Sequence, residues 1–121
     1  MRALALLCVL YSISVAAQEP QKHFGYFKVA KGQIGELCPQ LKAGQRLTYT
    51  VKSNKPIKFN FHYHKGEEVN YPIEDHETQL IAKTFTPRMD ETYCLMWTGL
   101  KDYTTVEVEY FIQNTKHANF R

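Results

Sequence analysis

The sequence predicts an all-β fold, a small antiparallel β-sandwich with one disulfide. Three observations predict it. Apolar and polar residues alternate over several short stretches, the period of strands with one dry face and one wet face. Gly, Pro, Asn and Asp punctuate those stretches at short intervals, and no segment sustains helical spacing. Two cysteines, Cys38 and Cys94, remain once an export leader is set aside, an even number suited to a single bridge in an oxidising compartment.

The leader is read from "MRALALLCVLYSISVAA". Arg2 precedes an apolar run from Ala3 to Tyr11, and small residues occupy the −3 and −1 positions of a cleavage site ending at Ala17. Residues 1–17 are therefore expected to be a signal peptide, and the protein to be exported to the periplasm, the extracellular space or the secretory pathway. Cys8 lies inside the apolar run, but Leu7 stands where a lipoprotein signal needs Gly or Ala. Of 121 residues, 121 − 17 = 104 would remain, enough for one domain. The formal charge is +3, with Lys and Arg scattered and never grouped into a stripe. Nothing in that pattern supports nucleic-acid or membrane-surface binding, and no later segment has the apolar length of a membrane span.

Residues 18–23 form a polar lead-in containing Pro20, and "FGYFKVA" (Phe24–Ala30) is the first expected strand. "KAGQ" is a turn. "RLTYTVKS" then alternates, with Leu47, Tyr49 and Val51 on one face. "SNKP" reads as the next turn, and "IKFNFHYH" places Ile57, Phe59, Phe61 and Tyr63 inward and Lys58, Asn60, His62 and His64 outward. Lys65–Gly66 turns the chain into "EVNYPI", a short extended piece that Pro72 confines to an edge. "EDHET" reads as a charged loop, "QLIAKTFTP" as a strand stopped by Pro87, and "RMDE" as a turn. "TYCLMWTG" has the strongest strand composition, with Tyr93, Leu95 and Trp97 opposing Cys94 and Met96. After "KDY", "TTVEVEYFI" sets Val106, Val108, Tyr110 and Ile112 against Thr105, Glu107, Glu109 and Phe111. Residues 113–121 are a polar tail.

An early Cys in "GELCPQL", a strand–turn–strand in "RLTYTVKSNKPIKFNFHYHKGEEVNYP" and a late Cys after an aromatic in "KTFTPRMDETYCLMWTG" follow one another in order. This order resembles the GOLD (Golgi-dynamics) domain, the luminal β-sandwich of transmembrane cargo receptors in the early secretory pathway. The resemblance covers residues 24–112. It implies a GOLD-like, jelly-roll-like sandwich with a Cys38–Cys94 disulfide. Those receptors continue into a coiled coil and a membrane span, which this sequence lacks after the domain, so the resemblance implies the module and not cargo-receptor function.

The motif with most chemical content is "FHYHKGEEV". His62 and His64 stand at i and i+2, on one face of a strand, and Glu68 completes His-x-His-x3-Glu, the spacing of cupin metal sites. Copper or zinc on His62, His64 and Glu68 is one candidate. The cupin pattern is incomplete, since Pro56 and Asp75 stand where Gly is expected and no His follows Cys94 until His117. His62, His64, Cys94 and Met96 are the ligand types of a blue-copper centre, but no His follows Cys94 closely and the cysteine is better used in the disulfide. Glu67 with Glu68, and Glu107 with Glu109, are acid pairs without an aromatic-lined cleft for a sugar. Were the last strand to neighbour the His62 strand, Glu107 or Glu109 would pair with that histidine. Ser53 is the one serine of the mature chain and has no nucleophile-elbow context.

The expected function is thus a small exported, non-catalytic binding or accessory module that recognises a protein or another envelope or secretory ligand, with no cofactor and no catalytic residue. A metal-binding protein using His62 and His64 comes second. A cupin-like metalloenzyme is third.

Overall fold

The computed structural model describes residues 21–114. The expected leader with Cys8, the first part of the lead-in and the tail from residue 115, with His117, lie outside the described residues.

Seven antiparallel strands and no helix make up the described residues: β1 His23–Val29, β2 Ile34–Leu37, β3 Gln40–Leu41, β4 Gln45–Lys65, β5 Glu68–Phe85, β6 Glu91–Gly99 and β7 Thr104–Asn114. The all-β class and the antiparallel pairing are as the alternation predicts. No helix here is long and apolar enough to cross a membrane.

Two long strands organise the molecule. β4 runs for 21 residues, through the "SNKP" stretch read as a turn, and β5 absorbs "EVNYPI", the "EDHET" loop and "QLIAKTF" into one 18-residue strand. The reason lies in the phase of the sequence. Val51, Ser53, Ile57, Phe59 and Phe61 are all odd-numbered and all buried, so the chain can bend at residues 53–56 without changing which face it turns inward. Pro56 has no N–H for the ladder, and the register jumps there from Lys52↔Leu80 to Ile57↔Thr78. The Ser53 hydroxyl donates to the Lys55 carbonyl at 2.6 Å and holds the bend. In β5 the charges lie on a strand paired on one side only, where exposed charges discourage edge-to-edge association. That strand also carries an extra residue between His76 and Ile73 and another between Ile73 and Asn70, two bulges that accommodate Pro72 and twist the edge.

The bend divides the partners of β4. Its first half pairs with β7, from Gln45↔Asn114 to Ser53↔Val106, and its second half with β6, from Ile57↔Gly99 to Tyr63↔Tyr93. β1 extends the β7 side, while β2 and β3 extend the β6 side. One curled antiparallel sheet therefore folds its two halves toward each other. Phe27 of the first half meets Trp97 of the second with ring centroids 5.0 Å apart, and Tyr49 stacks on Phe61 at 5.6 Å. Leu47, Val51, Phe59, Leu95, Val106 and Val108 complete this core. The β4–β5 connection turns at Gly66, whose φ of 61° favours a residue without a Cβ.

Candidate functional site

On the outer face of the β2–β6–β4–β5 half, register brings together residues far apart in sequence. Glu36 is opposite Met96, which is opposite Asn60, and Cys94 is opposite His62. Cys38 follows the end of β2 and is bonded to Cys94, the bridge expected from the cysteine count. His62 and His64 share this face, as predicted. His64 is exposed, as expected of this face, whereas His62 and Asn60 are buried, at 6% and 2% exposure. His62 is covered by its neighbours, with the Tyr71 ring centroid at 5.8 Å and the His64 ring edge-on at 5.4 Å.

A short relay fixes the His62 ring. Asn60 Nδ2 donates to Asp75 Oδ1 at 2.8 Å, because a carboxylate only accepts, so Asn60 Oδ1 faces the histidine. His62 Nδ1 lies 2.7 Å from that oxygen and must therefore carry the proton. Lys58 Nζ, 3.9 Å from Asp75, steadies the far end. In the neutral ring the Nε2 lone pair is then free, and it lies 4.0 Å from Glu36 Oε1. Burial pushes the His62 pKa below its ordinary value and His64 adds to the depression, while the Glu36 and Asp75 carboxylates oppose it.

Because the folded state holds this imidazole neutral, the unfolded chain binds more protons below the ordinary histidine value, and the domain loses stability as pH falls through that window. Glu36→Gln removes the strongest opposing charge and is expected to lower the His62 pKa further, read from its ring nitrogens by NMR titration. A pKa unmoved in that variant would mean Glu36 does not face the ring.

Two sequence expectations are corrected here. Glu68 pairs with Lys65, and Val69 with His64, so Glu68 sits on the opposite face of the hairpin from His62 and His64. Of the proposed ligand set, the two histidines come together and Glu68 does not. β7 neighbours the first half of β4, so Glu107 lies opposite Lys52 and Tyr26, and Glu109 opposite Thr50 and Phe24, with Lys22 Nζ 3.3 Å away. Neither reaches His62. The carboxylate that does is Glu36, whose i, i+2 relation to Cys38 was visible in "GELC" but whose partner strand was not. The blue-copper types His62, His64, Cys94 and Met96 do share one face, but the Cys94 sulfur is spent in the disulfide.

A second feature stands at one end of the sheet. Tyr103, in the β6–β7 turn, is 88% exposed and has a φ of 58°. Asn54, at the β4 bend, brackets it: its Nδ2 donates to the Tyr103 carbonyl at 3.2 Å, and its Oδ1 accepts from the Thr105 amide at 2.8 Å. Lys55 Nζ donates to the Asp102 carbonyl at 2.8 Å and stands 5.8 Å from the Tyr103 ring. Beside the tyrosine lies a cleft of about 510 Å³ whose walls include Val29, Ala30, Gln33, Asp102 and Thr104. "KDY" is the turn expected from the sequence, and nothing in its composition singles out the tyrosine. Compared with the models of known protein families and with curated proteins, the chain matches none.

Proposed function

We propose that the protein is a small exported, non-catalytic binding module of the GOLD-like β-sandwich type, recognising a protein or other envelope or secretory ligand through the loops at its Tyr103 end. Tyr103 carries the reading. A left-handed backbone costs a residue with a Cβ about 1–2 kcal/mol, and here it is imposed on a large aromatic whose ring is left in water. Packing gains nothing from that arrangement, whereas an aromatic presented on a rigid turn above a cleft is what an interface anchor requires. The Asn54 bracket supplies the rigidity.

Tyr103→Gly separates the two roles. The variant removes the ring and relieves the backbone, so its thermal midpoint should be unchanged or raised. A ligand that co-purifies with the wild-type protein from the host's envelope or secretory fraction should be lost from it. Retention of that ligand at wild-type occupancy would sink the reading.

A second reading, a metal-binding protein using His62 and His64 for copper or zinc, is favoured by the proton pinned on His62 Nδ1, which leaves Nε2 free to coordinate. The cupin-like metalloenzyme draws no such support once Glu68 lies on the other face.

A further inference from the structure

We infer that reducing the Cys38–Cys94 disulfide turns the outer face of the sheet into a tetrahedral zinc site, with the two cysteine sulfurs, a Glu36 carboxylate oxygen and His62 Nε2 as ligands. The ligand atoms of Glu36, Cys38 and Cys94 all lie within 4.8 Å of one another. Glu36 is the hub: Oε2 is 3.7 Å from Cys38 Sγ, and Oε1 is 4.0 Å from His62 Nε2. The donors come from or beside three adjacent strands, β2, β6 and β4, held in register by backbone ladders and not by mobile loops. Two thiolates, one imidazole and one carboxylate are donor types that zinc accepts in four-coordinate sites.

The support behind the ligands is also present. A metal-bound histidine ordinarily donates its other ring N–H to a fixed acceptor, which sets the tautomer and ring orientation. His62 Nδ1 does so to Asn60 Oδ1, and Asn60 is fixed in turn by Asp75. In the oxidised protein the sulfurs carry no charge and are poor ligands, so Glu36 and His62 stand alone. Redox state thus sets the donor count.

The switching step balances as a thiol–disulfide exchange with a dithiol reductant. One thiolate of the reductant attacks the sulfur of Cys38, the exposed residue of the pair, the Cys38–Cys94 bond breaks, and its electron pair leaves on Cys94 Sγ. The second reductant thiolate then closes the reductant's own disulfide and releases Cys38. Two electrons pass to the protein, and as zinc binds, any protons the thiols hold go to solvent.

The test is a cobalt and zinc titration of the mature chain, oxidised and after phosphine reduction. Thiolate-to-cobalt charge transfer with tetrahedral visible bands, at one equivalent and displaced by zinc, is expected in the reduced protein and absent from the oxidised one. Glu36→Gln and His62→Ala should each weaken zinc binding at least tenfold, and Asn60→Ala by about 10- to 100-fold. Should reduction unfold the apoprotein, zinc is expected to restore the β-sheet circular dichroism of the wild type but not of Glu36→Gln/His62→Ala. Undiminished zinc affinity in that double variant would overturn the assignment, as would the absence of both charge transfer and zinc-restored folding. The inference does not rest on the Tyr103 reading, since Tyr103→Gly should leave these titrations unchanged. Metal bound by the oxidised protein through His62 and His64 would support the second reading and contradict the redox dependence claimed here.

Discussion

Trp97→Ala is expected to lower the unfolding free energy by about 3–5 kcal/mol, the range for removing a large aromatic from a packed core. The indole is fully buried and lies where the two halves of the sheet press together, against Phe27 of the opposite half. Its cross-strand partner is Gly35, and the ring lies so close that a Cβ on residue 35 would collide with it. A cavity opened there is walled by backbone ladders on both sides, so little collapse can offset it. Among the described residues the indole N–H has no hydrogen-bond acceptor. Trp97→Phe therefore gives up volume but no hydrogen bond, and should cost distinctly less than alanine. Guanidinium titrations of the two variants at a common slope make the comparison. A loss below about 1 kcal/mol for Trp97→Ala would mean that the halves do not depend on this contact.

Removing the disulfide, as Cys38→Ala/Cys94→Ala, should cost roughly 4 kcal/mol by the chain-entropy account for the 56-residue separation it closes. For a domain of this size, whose whole stability is of order 5–15 kcal/mol, that is a large fraction. Because the bridge acts by restricting the unfolded chain, its loss should steepen the denaturant slope as well as lower the midpoint. A lowered midpoint with an unchanged slope would place the effect in the folded state instead, in lost sulfur contacts beside His62.

The fold class was legible because inward positions keep one parity. Leu47, Tyr49 and Val51, then Ile57, Phe59 and Phe61, could be assigned to the core without knowing any partner strand. The same parity concealed the bend: Ser, Asn, Lys and Pro in succession look like a chain reversal, whereas here they redirect a strand. The charged "EDHET" stretch looked like a loop because its pairing on one side alone is a matter of topology, not of composition.

The candidate site was legible by half. Strand period placed His62 and His64 on one face, but Tyr71, which covers the His62 ring, and Glu36, its charged neighbour, come from other strands. Glu36 arrives through the pairing of β2 with β6, a contact between segments about sixty residues apart that no local spacing encodes. Tyr103 was silent for a different reason. A positive φ at a tyrosine leaves no trace in the sequence, and only the bracket from Asn54 reveals that it is enforced.

The 21-residue β4 belongs to both halves of the sheet at once. Opening either half also strips the core of the other, since Tyr49 and Phe61 stack across the bend of β4 and Phe27 packs on Trp97 between the halves. The domain should accordingly melt as one cooperative unit, without a partly folded form in which one layer survives. It also joins the two candidate sites along one strand, since Asn54 and His62 lie eight residues apart on β4.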